Sequence, residues 1–329
     1  MKHEVHSTRT LAQTPVIEIQ AALATGGLWL DVGLVTARVS SDATVLAAQL
    51  QAVYRHFPLR LTAPWADLHL RIRRPRSLRR WIRPQVLFRC DGQGPFDPFP
   101  ADSPLPLLEW GANWLIGRRC NDTLLLHAGV VERDGFALVM PALPGSGKST
   151  LTAALSLRGW RLLSDEFGAF DLQSQAFRPA LKPVELKNES IDVMRRFEPT
   201  AEFGPEFPKT RKGTVAHLAP PASAVARVHE RARPGAIVLP RWQAGSATQL
   251  LPLQPQMAFS SLAFNAFNYA VCAREGFEAV ISLAHRCPAW QLIYSDLDSA
   301  VATLNREWPA VVGRAQSRAL AEIESGAAV

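Results

Sequence analysis

The chain has 329 residues, 47% hydrophobic and 20% charged. That is enough apolar material for a sizeable core and excludes a disordered or fibrous chain. Its net charge is +7, and residues 1–100 hold 13 basic against 7 acidic side chains, so +6 of it sits in the N-terminal third.

Cys90, Cys120, Cys272 and Cys287 lie far apart, with no Cys-x-x-Cys pair and no Cys/His ligand spacing. This excludes a disulfide framework or a zinc module and fits a reduced cytoplasm. Met1–Thr10 is polar and unlike a secretory signal. The apolar runs, Leu105–Leu108 and Leu124–Leu126 among them, fall far short of the roughly 20 residues a membrane span needs. A soluble cytoplasmic protein is expected.

Gly26-Gly27 punctuates the chain before the short apolar run Leu28–Leu30, which Asp31 closes. The β-branched run Val32–Val39 predicts a strand. Asp42 opens a helix to about His56, with Val45, Leu46, Leu50 and Val53 on one face. Leu68–Arg73 alternates apolar with polar, as a half-buried strand does. A small α/β domain over 1–100 follows. Between Asp91 and Trp110 stand five prolines and two glycines, which mark a linker or domain boundary. A helix is predicted from about Pro106 to Arg119.

Leu124–Val131 reads as a buried strand, Asp134-Gly135 as a tight turn tolerant of positive φ, and Phe136–Met140 as the returning strand. The latter runs into Pro141-Ala142-Leu143-Pro144-Gly145-Ser146-Gly147-Lys148-Ser149-Thr150 and a helix from Leu151 to Leu157. Strand, glycine loop and helix come in the order of a Walker A phosphate loop. Gly145 and Gly147 let backbone N–H groups turn toward phosphates without a Cβ in the way. The helix adds its positive N-terminal end. Residues Pro144–Thr150 are the predicted ATP contacts, with Lys148 reaching the β- and γ-phosphates and Ser149 on Mg²⁺. Ala142 stands where the usual pattern begins with glycine.

Leu162-Leu163 predicts a short buried strand that ends in Ser164, Asp165 and Glu166. Beside a phosphate loop, such acids are placed to hold Mg²⁺ and to accept a proton from an attacking hydroxyl. His127 lies in the strand before the loop, and a lone histidine there reads first as a core residue.

Taken together, the hairpin leading into the phosphate loop and the Asp-Glu step resemble the HPr kinase/phosphorylase family, related to phosphoenolpyruvate carboxykinase. The closer likeness is to its HPr-kinase-related kinases. The resemblance is strong from about Leu124 to Ala169 and weaker over 180–220. It implies a P-loop kinase core over 101–329, with His127 and Lys148 in the active site. It further implies Asp165 as general base, and Ser149 and Glu166, with Asp165, on the metal. Glu166 stands where the family has a second Asp. Val184–Val193 is similar to the family's Glu-Ile-Arg-Gly signature at Glu185 and Lys187. The glycines are absent, so HPr as acceptor and the reverse, phosphorolytic reaction lose their support. HPr kinases assemble as oligomers, so a homo-oligomer is an expectation of the resemblance alone.

Two basic segments stay open between function and ordinary surface. Phe207–Thr214 is a glycine-containing loop whose Lys212 either neutralises phosphoryl charge at the nucleotide or stays solvated. Arg71–Arg83 holds seven arginines and either docks an acidic peptide or protects a strand edge. Nucleic acid is the weaker fit, because aromatic interleaving is limited to Trp81. In the C-terminal third, Ala236–Pro240 and Ala289–Tyr294 read as strands, with Trp290 and Tyr294 as core. Ala263–Val271 and Ser299–Glu307 read as helices, and the tail after Arg314 as a frayed helix.

The expected activity is ATP- and Mg²⁺-dependent phosphorylation of a serine hydroxyl on a protein or peptide. The alternatives are a small-molecule kinase and a nucleotide-binding module without turnover.

Overall fold

The computed structural model describes residues 9–76, 79–91, 93–143 and 145–324. After a short 3-10 turn at Leu11–Gln13, the first elements are α1 (Val16–Ala24), β1 (Leu28–Asp31), β2 (Thr36–Ser41), α2 (Val45–Val53) and β3 (Leu68–Arg73). Then come α3 (Arg79–Ile82), β4 (Gln85–Arg89), β5 (Phe99–Pro100), α4 (Pro104–Arg119), β6 (Thr123–Arg133) and β7 (Phe136–Pro141). The middle of the chain forms α5 (Lys148–Leu157), β8 (Arg161–Ser164), β9 (Phe167–Asp171), β10 (Ala176–Arg178), β11 (Val184–Lys187), α6 (Glu189–Phe197) and β12 (Phe207–Thr210). The rest comprises β13 (Gly213–Leu218), α7 (Ala222–Ala226), β14 (Arg233–Trp242), β15 (Gln249–Pro252), α8 (Pro255–Phe264), α9 (Tyr269–Arg286), β16 (Ala289–Tyr294) and α10 (Leu297–Glu324). The protein is mixed α/β, and no described helix is long and apolar enough to cross a membrane.

Two compact units emerge, Met1–Arg119 with Leu181–Val228, and Cys120–Ala180 with His229–Val329. In the first, β1-β2-β3-β4-β5 form one sheet and β11-β13-β12 another. Only the β2–β3 pair is parallel in the five-stranded sheet. Its inward residues, among them Leu30, Val39, Leu70 and Phe88, are buried against α1, α2 and α4. The Pro-rich stretch expected to end a domain near residue 100 instead leads into α4, whose Pro104 and Pro106 fall in the first turn, where a missing N–H is harmless. Segment 181–228, assigned by the sequence reading to the second part, packs within the first unit. Lys182 bridges to the Glu109 carboxylate at 2.9 Å, and the Trp110 indole donates to Glu185.

The expected strand over Val32–Val39 is divided. Leu28–Asp31 is itself a strand, and the chain turns between it and β2. Val32 N–H donates to Val35 O (3.0 Å) and Gly33 N–H to Asp31 Oδ1 (3.1 Å), so the aspartate closes a turn inside the apolar run.

In the second unit β10-β9-β6-β7-β14-β16-β15 form one sheet, with β8 also paired to β6. Pairs β7–β14 and β14–β16 are parallel, and every residue of β7 is buried. The expected Asp134-Gly135 turn joins β6 to β7, both residues at positive φ (56° and 83°). The core runs through Leu124, Val130, Val139, Ile237, Leu262 and Val280. A single helix over Ala263–Val271 is not formed. Helix α8 stops at Phe264 and α9 starts at Tyr269, because the intervening asparagines serve β6. Asn265 O accepts from His127 N–H. Asn268 Oδ1 accepts from Leu125 N–H (2.9 Å), and its amide donates to the Cys120 and Thr123 carbonyls.

One close approach fixes α4 on the first sheet. A Cβ at Gly111 would stand 2.1 Å from the Phe88 ring. Gly111→Ala is therefore expected to destabilise the protein by about 1–3 kcal/mol despite alanine's better helix propensity, seen as a lower urea midpoint.

Candidate functional site

Strand β7 delivers the chain directly into the glycine loop. Gly145 and Gly147 both have positive φ (88° and 89°), and Gly147 caps the ten-residue α5. A Cβ at Gly147 would lie 2.4 Å from Tyr294 Oη and 3.1 Å from the Trp242 Cβ. The expected Pro144 contact lies outside the described residues. The Ser146 hydroxyl is buried with no hydrogen-bond partner among the described residues. A glycine loop that turns into a helix N-terminus, with an unsatisfied hydroxyl in it, suits an oxyanion.

Lys148, the first residue of α5, is 7% exposed, and Asp165 is 8% exposed. The ammonium donates to the Asp165 backbone carbonyl and lies 3.4 Å from its Oδ1. Burial raises the Asp165 carboxyl above its ordinary 3.8. Lys148 opposes that shift, Glu166 adds to it, and hydrogen bonds from Ser149 and Lys148 oppose it. Thr150 follows in the same first turn.

Asp165 and Glu166 owe their position to an interrupted strand. Strands β8 and β9 both run antiparallel to β6, which pairs Val130 with Ser164 and His127 with Phe167. The register shifts beside Leu163, and Asp165-Glu166 stands between the paired stretches. Such irregularities re-aim side chains. Ser164 Oγ accepts from the N–H groups of Glu166 (3.3 Å) and Phe167 (3.0 Å), holding the turn.

His127 is not a packed core histidine. Its Nδ1 is 3.5 Å from Glu166 Oε1, too far for hydrogen-bond geometry, so the nitrogen has a charged neighbour but no hydrogen-bond partner among the described residues. Phe267 packs edge-on against its ring at 5.4 Å. His127, Lys148, Ser149, Asp165 and Glu166 thus belong to one end of one sheet.

Tyr294 carries a role that the sequence reading missed. Its Oη donates to Gly147 O (3.1 Å), while Trp242 N–H donates to Ser146 O (2.9 Å). Two adjacent strands, β14 and β16, therefore hold the loop from below. An apolar strand ending in Tyr looks the same whether its hydroxyl is core or buttress, so the sequence carried no distinguishing signal.

Among the described residues no group of three His, Cys, Asp or Glu side chains is placed to hold a metal by itself. The donors available for Mg²⁺ are the Ser149 hydroxyl and the carboxylates of Asp165 and Glu166. That hard-oxygen set suits Mg²⁺, which takes one or two carboxylates and completes its shell with phosphates and water.

Lys212 lies in the first unit, at the start of β13. Its ammonium is 3.0 Å from Glu185 Oε1 and sits 4.6 Å above the Trp110 ring. Lys187 reaches the same oxygen, also at 3.0 Å. Burial alone would raise the Glu185 carboxyl, but the two ammonium groups, with His217 and the Trp110 indole, bring it down to about 2.

No protein-family model matches the chain, and a search of curated proteins finds no match.

Two outcomes follow. Tyr294→Phe should lower the urea midpoint by an amount equivalent to about 1 kcal/mol, and Gly147→Ala by more than that, since it strains φ and displaces the tyrosine. Glu185 has a folded pKa below its ordinary 4.5, so its contribution is full above pH 4.5 and is lost as pH falls toward about 2. By linkage that contribution is roughly 3 kcal/mol. Urea unfolding across that range should show this acid limb in wild type, and Glu185→Gln should lack it.

Proposed function

We propose that the protein is an HPr-kinase-like P-loop kinase that transfers the γ-phosphoryl group of ATP to a serine hydroxyl of a protein or peptide. The observation that carries this reading is the convergence of Lys148 and Asp165. A buried phosphate-loop lysine meets a buried acid whose carboxyl is raised by burial. A carboxylate with raised proton affinity beside an anion cradle suits general-base work at an attacking hydroxyl.

The loop residues Gly145–Thr150 and the α5 N-terminus bind the β- and γ-phosphates through backbone N–H groups, with Lys148 as the point charge. Mg²⁺, held at Ser149, Asp165 and Glu166 when bound, supplies neutralisation of charge on the phosphates. Asp165 accepts the serine proton on its carboxylate as the hydroxyl oxygen forms its bond to the γ-phosphorus, while the bond from that phosphorus to the β,γ-bridging oxygen breaks and ADP leaves with the electron pair. His127 stands 3.5 Å from Glu166 and lines that end of the site. Lys212 is committed to Glu185 within the first unit and takes no part in the proposed transfer. The family resemblance supports the same assignment of Lys148, Ser149 and Asp165. Four free, buried cysteines suit the cytoplasmic setting proposed with it.

The test uses γ-labelled ATP, Mg²⁺ and a nucleotide-depleted extract. Wild type should label a polypeptide and Lys148→Ala should not. Asp165→Asn keeps an oxygen for Lys148, so it should bind ATP nearly as wild type and lose transfer by about 100-fold or more. Label confined to small molecules would identify a metabolite kinase. Wild-type turnover in Asp165→Asn would remove the base assignment.

A further inference from the structure

The outward face of the five-stranded sheet concentrates one sign of charge. Side chains alternate along each strand, so the even positions of β2 and odd positions of β3 and β4 point away from α1, α2 and α4. This places Arg38 and Ser40 on β2, His69, Arg71 and Arg73 on β3, and Arg89 on β4 side by side. The register is direct, with Arg38 opposite His69, Ser40 opposite Arg71, and Arg71 opposite Arg89. Arg71 and Arg89 are exposed and the others half-buried.

Three acids neighbour this face, and each is engaged, Asp67 by accepting from Thr36 N–H (2.7 Å). Asp31 pairs with Arg60 at 2.9 Å, and Asp91 pairs with Arg119. Among the described residues no carboxylate pairs with Arg38, Arg71, Arg73 or Arg89. Arg38 is instead anchored, donating to the Gly26 carbonyl (2.7 Å from Nε) and lying 5.0 Å above the Trp29 ring. Arg73 donates to Ser40 Oγ (3.1 Å). Between them runs a groove of about 260 Å³ lined by Thr25, Arg38, Ser40, His69, Arg71 and Arg73.

Like charges directly opposite on antiparallel strands destabilise a sheet, their Cβ atoms being only about 5 Å apart. The Arg71–Arg89 pair is therefore a cost to the fold. A solvated face needs mixed charge for solubility, not one sign in adjacent rows. The Arg38 guanidinium, held by backbone and ring contacts, loses little freedom on meeting a carboxylate, which such a group takes bidentately.

We propose that this face docks an acidic polypeptide segment, its Asp and Glu carboxylates seated between Arg38, Arg71, Arg73 and Arg89. Charge complementarity selects the occupant. A nucleic acid would want an aromatic platform for its bases, and the one indole on this face, Trp29, is already covered by Arg38. The site lies within one unit and uses none of the phosphate-loop residues. It stands independently of the phosphoryl-transfer reading.

The test is fluorescence anisotropy of the full-length chain, without nucleotide, at low and at physiological salt. The probe is a labelled peptide of alternating Glu and Ser, about ten residues long, enough to cross the sheet when extended. Wild type should bind it, more weakly as salt rises, and Arg71→Gln or Arg89→Gln should each weaken binding about tenfold. Both variants should melt no lower than wild type, because each lifts a like-charge contact. Absence of binding at low salt, or binding indifferent to both substitutions, would overturn the proposal. So would a lowered Tm in both variants, which would make the arginines structural. An oligothymidylate of equal charge that binds more tightly through the same arginines would replace it with a nucleic-acid surface.

Discussion

Strand β6 is the constraint from which the second unit is built. Nine of its eleven residues are buried, and a buried strand must pair all of its backbone groups. It does so along both edges, with β9 and β8 on one and β7 and the Asn265–Asn268 segment on the other. Each partner then carries part of the site. Strand β7 leads into the glycine loop, the β8–β9 interruption offers Asp165 and Glu166, and His127 sits on β6 itself. The two half-open positions are that histidine and, at the strand's last residue, Arg133. The histidine, at the half-open position inside the strand, is where the sheet meets the site.

Two buried ion pairs in this unit show how differently charge can be used. Arg161 and Glu132 meet through Nε and Oε2. The second carboxylate oxygen of Glu132 accepts from Gly135 N–H (2.7 Å), and Arg161 also donates to the Glu230 carbonyl (2.9 Å). That pair is woven into backbone and ties the hairpin to β8. Lys148 and Asp165 are less well matched. The ammonium's near acceptor is a carbonyl, and the carboxylate stands 3.4 Å off. Removing two charges from water repays its cost only with good geometry. The looser geometry makes the second pair the weaker contributor to stability of the two.

The legible features were those whose chemistry is local. Strand, glycine loop and helix declare themselves in a dozen residues, and so did Leu68–Arg73, Ala289–Tyr294 and the Asp134-Gly135 turn. What failed depended on distant partners. Ala263–Val271 has helical periodicity throughout, yet Asn265 and Asn268 satisfy β6 more than 130 residues away in sequence, and that demand breaks the helix. Val32–Val39 is rich in β-branched residues, yet Asp31 closes a turn at its start. Segment 181–228 offers no sign that it joins residues before 120, because the link is made by scattered long-range contacts, among them Lys182 to Glu109, Glu185 to Trp110, Arg55 to Glu202 and the Leu181 N–H to the Val32 carbonyl. The Tyr294 buttress was hidden for the same reason.

The positive charge of the N-terminal third, first a number, resolves into geometry. A run of arginines in sequence scatters when folded, because a strand sends alternate residues to opposite faces and the following turn points elsewhere. Arg74, for example, leaves the row, its N–H bound to Asp42 and its guanidinium to Thr44. The groups that do align come from three strands and are separated by up to 51 positions, Arg38 to Arg89. Pairing register, not sequence clustering, therefore selects which charges act together. A face assembled in that way tolerates loss of any one arginine without unfolding. It also has no internal reason to keep the like-charged pair at Arg71 and Arg89, and that is the physical argument for an anionic occupant.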